Sequence, residues 1–164
     1  MVLLLFGLGV FLADRVLKIF ILNNFVLGET QGFIPGVLQL TYIQNTGMAF
    51  GFLRDHQWIP MVLTPLLLLG VLFVLFRKQL FPNLVCRLAL AGIFAGGLGN
   101  WVDRLLYGFV VDMFEFTFVR FAVFNLADVF ITVGGTVFIV VYAVTEWRAE
   151  RKKVETEQAE SSGE

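Results

Sequence analysis

The chain has 164 residues, of which 58% are hydrophobic and 15% are charged. Soluble domains are about 45–50% apolar and about 25% charged, so this composition excludes a water-soluble enzyme and favours a small polytopic membrane protein. The formal net charge of −1 offers no basic surface for nucleic acid. With one cysteine and one histidine, we expect no intrachain disulfide, no metal site and no cofactor.

Four apolar stretches are long enough to cross the hydrocarbon core of a bilayer as helices, which takes about 20 residues. They run over residues 2–22, 59–76, 84–106 and 121–143. We therefore predict an all-α membrane protein with one four-helix domain over residues 1–153. The polar segment 154–164 is predicted to be a disordered tail.

Basic residues predict the orientation, because loops rich in Lys and Arg stay on the cytoplasmic side of a membrane. In a four-helix arrangement most of them fall on one side: Arg77, Lys78, Arg87, Arg148, Arg151, Lys152 and Lys153. Both termini are therefore predicted to be cytoplasmic, with segments 23–58 and 107–120 outside. The β-rich run 37–43 in the first outer segment predicts a small sheet at the outer membrane surface.

Polar side chains within the predicted spans indicate a functional site, because such residues are costly in lipid. Counted from the outer ends of the spans at about 1.5 Å per residue, they fall in one outer layer. They are Asp14 with Arg15 and Lys18, Asn100 with Asp103 and Arg104, and Asn125 with Asp128. Gly92 and Gly96 share a stripe with Asn100, so this stripe should face other helices. Asp112, in the short outer segment, can fold back over the layer.

Structural roles compete with functional ones for several of these residues. Asp14 can pair with Lys18 four positions later, and the asparagines can join helices by hydrogen bonds. Asp128 has no basic residue within four positions, and Asp112 is flanked by apolar residues. A structural role therefore explains these two aspartates less well than a catalytic one.

Two facing carboxylates, here Asp112 and Asp128, suit acid–base chemistry. When two carboxylates lie about 3 Å apart, the pKa of one is raised and the pair shares a proton. The ionised member can take a proton from a water molecule that attacks a carbonyl, while the protonated member donates to the carbonyl oxygen and later to the leaving amine. The pair predicts an aspartic protease that needs no metal and that acts near the outer leaflet. Which aspartate is the base stays open.

Three blocks of sequence carry most of these residues. They are residues 45–51 (NTGMAFG), 99–112 (GNWVDRLLYGFVVD) and 124–128 (FNLAD). In this order they resemble the N-x-G-x-A-F-G, G-N-x-x-D-R-x-x-x-G-x-V-x-D and F-N-x-A-D motifs of bacterial lipoprotein signal peptidase (signal peptidase II). Asp14 with Lys18 resembles the D-x-x-x-K of that family's first span. The resemblance covers about residues 10–140.

The resemblance implies a role for each matched position. Asp112 and Asp128 match the catalytic dyad, and the positions around that site are Asp14, Lys18, Asn45, Gly47, Asn100, Asp103, Arg104 and Asn125. It implies an aspartic endopeptidase of the bacterial inner membrane that removes signal peptides from diacylglyceryl-modified prolipoproteins, cutting before the lipidated cysteine. Its implied partners are these prolipoproteins and membrane lipid, with no obligate protein partner. The first outer segment would form a sheet that cradles the substrate.

Two other classes of membrane protein also bury carboxylates. A proton-coupled transporter or an anchoring subunit could do so, but transport favours acidic groups staggered across the whole membrane, whereas these cluster in one layer. A G-x-G-D intramembrane protease does not fit, because Gly97-Leu98-Gly99 is followed by Asn100.

Overall fold

The computed structural model describes residues 1–47, 58–77 and 83–161. In this part of the chain the helices are α1 (Val2–Asn24), α2 (Trp58–Phe76), α3 (Leu84–Tyr107) and α4 (Leu126–Ser161), and the strands are β1 (Thr30–Ile34), β2 (Leu38–Asn45) and β3 (Val110–Phe116). Residues 48–51 of the predicted 45–51 motif lie outside the described residues, as does Lys78.

Three helices of the described chain are long and apolar enough to cross a membrane. Their spanning stretches are Trp58–Phe76, Leu84–Tyr107 and Leu126–Thr156. The first helix, α1, has 23 residues, but Asp14, Arg15 and Lys18 interrupt its apolar run. Length and composition therefore identify α2, α3 and α4 as candidate spans and leave α1 to be argued from its packing.

The fourth helix differs from its prediction at both ends. It begins at Leu126 instead of residue 121, because Asn125 caps it and residues 121–125 stay outside the helix. At the other end α4 continues to Ser161, so the expectation of a disordered tail from residue 154 is wrong for the part that the structure describes. Residues 154–161 include three Glu, one Gln and one Ala, which have high helix propensity, so this segment can extend the helix.

The predicted small sheet is present, and it has three antiparallel strands in the order β1-β2-β3. The predicted run 37–43 falls largely on β2, the central strand. The second outer segment contributes β3, which the sequence did not predict. In the pairing of β2 with β3, Ile43 lies opposite Asp112 and Asn45 lies opposite Val110. Asp112 therefore lies beside the C-terminal end of β2.

The sheet packs on the end of α1 through a buried apolar cluster. The cluster consists of Ile21, Phe25, Tyr42, Val111 and Met113. Along β3, side chains alternate between the two faces of the sheet. Val111 and Met113 therefore face α1, and Asp112 between them faces the other side.

Glycines let the other helices approach α3 closely, as the predicted stripe requires. A Cβ at Gly96 would stand 2.6 Å from the carbonyl oxygen of Ala127 in α4, and one at Gly99 would stand 2.7 Å from the Oδ2 of Asp14 in α1. Because real Cβ atoms do not approach so closely, a side chain at position 96 would clash with the backbone of Ala127, and one at position 99 would displace the carboxylate of Asp14. The close packing brings the polar residues of α1, α3 and α4 into one layer.

Candidate active site

A cavity of about 460 Å³ lies where α3, α4 and the sheet meet. Its polar wall is formed by Asn45, Asn100, Arg104, Asp112 and Asp128. The strand β3 supplies Asp112, the first turn of α4 supplies Asp128, β2 supplies Asn45, and α3 supplies the remaining two residues. The two aspartates that the sequence singled out thus line the same cavity.

Asp128 is held at the N-terminus of α4 by a capping box. The Oδ1 of Asn125 accepts a hydrogen bond from the backbone N–H of Asp128 at 3.0 Å, and the Oδ2 of Asp128 accepts one from the backbone N–H of Asn125 at 3.2 Å. In such a box, the cap residue and the third residue of a helix satisfy each other's free N–H groups. The spacing of Asn125 and Asp128 therefore fixes where the helix starts and where the carboxylate points.

Asp112 is almost fully buried, with 2% of its surface exposed. Its Oδ2 accepts a hydrogen bond from the Nδ2 of Asn45 at 2.9 Å, and its Oδ1 accepts one from the Nδ2 of Asn125 at 2.6 Å. Burial, and secondly the charge of Asp128, raise the pKa of Asp112 to about 7. Asp112 can therefore hold a proton near neutral pH, as one member of an acid–base pair must.

Asn100 connects the cavity to the buried charges of α1. Its Nδ2 donates to the Oδ1 of Asp128 at 2.8 Å. Its Oδ1 accepts from the Nζ of Lys18 at 2.8 Å and from the Nδ2 of Asn125 at 3.1 Å. The amide of Asn100 thus has its oxygen toward Lys18 and its NH₂ group toward the aspartate.

The charges of α1 form a buried cluster behind Asn100. The Nζ of Lys18 lies 2.9 Å from a carboxylate oxygen of Asp14 and 2.9 Å from one of Asp103, and Arg15 also pairs with Asp103. Asp14 accepts the backbone N–H of Ala127, and Asp103 accepts that of Val111.

These last two hydrogen bonds join the cluster to the elements that carry the dyad candidates. Ala127 precedes Asp128 in α4, and Val111 precedes Asp112 in β3. Asp14 and Asp103 therefore hold the backbone next to each aspartate, which is a supporting role.

Arg104 reaches from α3 to the loop after β2. One guanidinium nitrogen donates to the carbonyl oxygen of Gly47 at 2.9 Å, and the other contacts the carbonyl oxygen of Asn100 at 3.3 Å. The backbone N–H of Gly47 donates to the Oδ1 of Asn45 at 3.0 Å, which leaves the Nδ2 of Asn45 for Asp112. The Asn45–Gly47 turn is thus bonded both to Arg104 and to Asp112, which line the cavity with Asn45.

Comparison with known proteins identifies the family of this chain. The family model described as "Signal peptidase (SPase) II" matches residues 6–144. The chain belongs to the signal peptidase II family. It is 39% identical over 137 residues to the lipoprotein signal peptidases of Streptococcus pyogenes serotype M5 (strain Manfredo) and serotype M18 (strain MGAS8232), covering 84% of this chain and 87% of each relative.

Solved structures show the same fold. A bacterial membrane enzyme solved by the in meso method at 2.3 Å resolution has a TM-score of 0.81 and 30% identity, with 87% of each chain covered. A second one, at 1.9 Å resolution, has a TM-score of 0.78 and 31% identity, with 86% of this chain and 92% of that chain covered.

The polar residues matched to signal peptidase II motifs within the described part of the chain meet, together with Gly47, in one network. It joins Asp14, Lys18, Asn45, Gly47, Asn100, Asp103, Arg104, Asp112, Asn125 and Asp128. Among the described residues, no group of three or more His, Cys, Asp or Glu is placed to hold a metal ion.

Two parts of the candidate site received no role in the sequence analysis. Arg15 was named only as a polar residue of the outer layer and not as a motif position, yet its guanidinium pairs with Asp103. Phe116, Phe121 and Phe124, to which the sequence analysis assigned no role in a site, also line the cavity. Apolar residues within an apolar chain carry no pattern that would have separated them.

Proposed function

We propose that the protein is an aspartic endopeptidase that removes signal peptides from diacylglyceryl-modified prolipoproteins and cuts before the lipidated cysteine. The observation that carries the proposal is the meeting of Asp112 and Asp128 at one cavity, where Asn125 bonds to both. The relatives in Streptococcus pyogenes are named lipoprotein signal peptidases, which supports the substrate class.

The pair of aspartates would carry out the proton transfers that peptide hydrolysis requires. One carboxylate takes a proton from water as the water oxygen attacks the scissile carbonyl, and the other gives a proton to the carbonyl oxygen. When the carbon–nitrogen bond breaks, a proton passes to the leaving amine. Asn45 and Asn100 each donate to one aspartate and hold it in place, so that the reacting groups do not have to be reoriented during the reaction.

The apolar side of the cavity supports a lipidated substrate. It is lined by Phe116 and Phe121 and by Val129, Ile131 and Val133 of α4. The acyl chains of such a substrate already lie in lipid, which is as apolar as this wall, so they can stay in the bilayer while the scissile bond reaches the dyad. A diacylglyceryl group beside the scissile bond can therefore help to hold the peptide at the dyad.

We expect the diacylglyceryl group to be required for cleavage. Purified protein, reconstituted in lipid, should cleave a modified prolipoprotein and should cleave the unmodified precursor poorly or not at all. Product formation is followed by mass spectrometry, with Asp112→Asn protein as the inactive control. Equal rates for both substrates would remove the lipoprotein assignment and leave a protease of other specificity. Failure to cleave either one would favour the transporter or anchoring alternative.

We further propose that α1 is a fourth span and that residues 1–153 form one membrane domain with both termini in the cytoplasm of a bacterial inner membrane. The packing of α1 supports this, because Asp14 and Lys18 are fully buried in the bundle. The outward face of α1 is apolar and exposed along its length, at Leu4, Leu5, Leu8, Leu12, Val16, Ile19 and Phe20. A helix with buried charges and an apolar outer face can stand in lipid.

Cysteine labelling tests this topology. In a Cys86→Ser background, Thr117→Cys should react with a membrane-impermeant maleimide in intact cells. Thr156→Cys should react only after the membrane is opened. Both side chains are exposed, so access to solvent does not bias the comparison. Labelling of Thr156→Cys from outside would contradict the proposed orientation.

A further inference from the structure

We propose that the two aspartates have fixed and different roles. In the resting enzyme Asp128 is ionised and acts as the general base, whereas Asp112 carries the proton. This assignment rests on the proposed protease function for its chemistry. Its evidence is the position of each aspartate in the fold and the orientation of the amides around them.

The end of α4 favours a negative charge on Asp128. Asp128 is the third residue of the helix, and its Oδ2 accepts the backbone N–H of Asn125 in the capping box. The N-terminus of a helix carries a partial positive charge, which stabilises a carboxylate in the first turn by about 0.3–1 kcal/mol at exposed sites and more where it is partly buried. Asp112 lies on a strand, where no such partial charge exists.

The amide of Asn100 is fixed in an orientation that requires Asp128 to accept. The ammonium of Lys18 can only donate, so it holds the Oδ1 of Asn100 on its own side at 2.8 Å. The NH₂ group of Asn100 is therefore directed at the Oδ1 of Asp128 at 2.8 Å. Lys18 thus acts on Asp128 through Asn100, as a positioning residue.

Hydrogen bonds alone do not separate the two aspartates, because Asp112 also accepts two amide N–H groups. The degree of burial does distinguish the aspartate that keeps the proton. Asp112 is 2% exposed, whereas Asp128 is only partly buried at the wall of the cavity. Removal from water penalises the charged form of a carboxylate, so the more buried member keeps the proton more readily. The pKa of Asp112, raised to about 7 by burial first and by Asp128 second, agrees with this order.

The surrounding charges do not reverse the order. Arg104 of α3 interacts first with Asp112 and second with Asp128, and Lys18 of α1 also lowers the pKa of Asp112, but burial outweighs these effects because the pKa of Asp112 is still raised. Lys18 of α1 is neutralised by Asp14 and by Asp103 of α3, and Arg15 pairs with Asp103 as well.

The assignment defines the path of each proton. Asp128 takes a proton from the attacking water as the new carbon–oxygen bond forms, and Asp112 gives its proton to the carbonyl oxygen. On collapse, the carbon–nitrogen bond breaks and the proton on Asp128 passes to the leaving nitrogen. Asp112 recovers a proton from the hydroxyl group as the carbonyl re-forms, so the enzyme returns to its starting state.

A matched pair of near-isosteric variants tests the assignment. Asn100→Leu removes one donor from Asp128, and Asn45→Leu removes one donor from Asp112. The carboxyl groups are titrated by infrared spectroscopy on full-length protein in lipid without substrate. The bands of the pair are identified as those lost in Asp112→Asn and Asp128→Asn. Asn100→Leu should raise mainly the lower apparent pKa of the pair, and Asn45→Leu mainly the upper one, each by about one unit.

The opposite pattern would overturn the assignment, and so would equal shifts of both steps in each variant, because the proton would then be shared evenly. Asn100→Ala and Asn45→Ala replace any variant that fails to fold. In a cleavage assay, the acidic limb of the pH profile should move upward in Asn100→Leu and the basic limb in Asn45→Leu. The titration needs no substrate, so a failed cleavage assay would count against the proposed function and not against the division of roles.

Discussion

Replacing either aspartate of the pair, by Asp112→Asn or by Asp128→Asn, should abolish cleavage while the protein still folds. An asparagine keeps the size of the side chain and can neither take nor give a proton at the required step. General acid–base catalysis by one group contributes about 10²–10⁴-fold to a rate, so each variant should lose at least this much. The two groups act as a unit, so the double variant should be little worse than either single one.

The measurement is kcat on a lipidated prolipoprotein, with thermal unfolding of each variant as the test of folding. Glu115→Gln is the matched control, because Glu115 lies on the same strand as Asp112 and bonds to Gln39 and Thr41. It is not among the residues that line the cavity. We expect Glu115→Gln to cleave at the wild-type rate. A folded Asp128→Asn protein with near-normal kcat would exclude the dyad.

The second large effect is on stability, in the variant Lys18→Met. The Lys18 side chain is fully buried, and its Nζ contacts Asp14, Asp103 and Asn100. Without the ammonium group, Asp14 loses its paired cation, and Asp103 keeps only its ion pair with Arg15. Removal of one partner from a buried ion pair costs about 3–5 kcal/mol, because the other charge is left uncompensated. We expect a loss of this size in the free energy of unfolding.

Unfolding in detergent, followed by circular dichroism, measures the change. Lys152→Met is the control for the substitution itself, because Lys152 is exposed on α4 and should lose little stability. Adding Asp14→Asn to Lys18→Met removes one of the stranded charges, so the double variant should recover part of the loss. If Lys18→Met were as stable as the wild type, the buried cluster would not hold α1, α3 and α4 together.

The general character of the protein followed from its sequence. The apolar composition and the length of the apolar runs predicted membrane helices. A single segment in lipid must satisfy its own backbone hydrogen bonds, and it can do so only as a helix. Depth along each span placed Asp14, Asn100 and Asp128 in one layer, since helix rise is constant. Spaced motifs then identified Asp112 and Asp128 as the candidate dyad. These inferences need only local geometry, which is why the sequence supports them.

Contacts between distant residues were decided by the tertiary structure. The sheet needs β3 beside β2, and Asp14 bonds to the backbone of Ala127, 113 positions later in the chain. A local pattern cannot show which strand or helix a segment will meet, because pairing depends on how the whole chain packs. The start of α4 was mispredicted for a related reason: the apolar run begins at residue 121, but the capping box of Asn125 and Asp128 begins the helix five residues later. That box also places only Asp128 at the end of a helix, which is the basis of the proposed difference in role between the two aspartates.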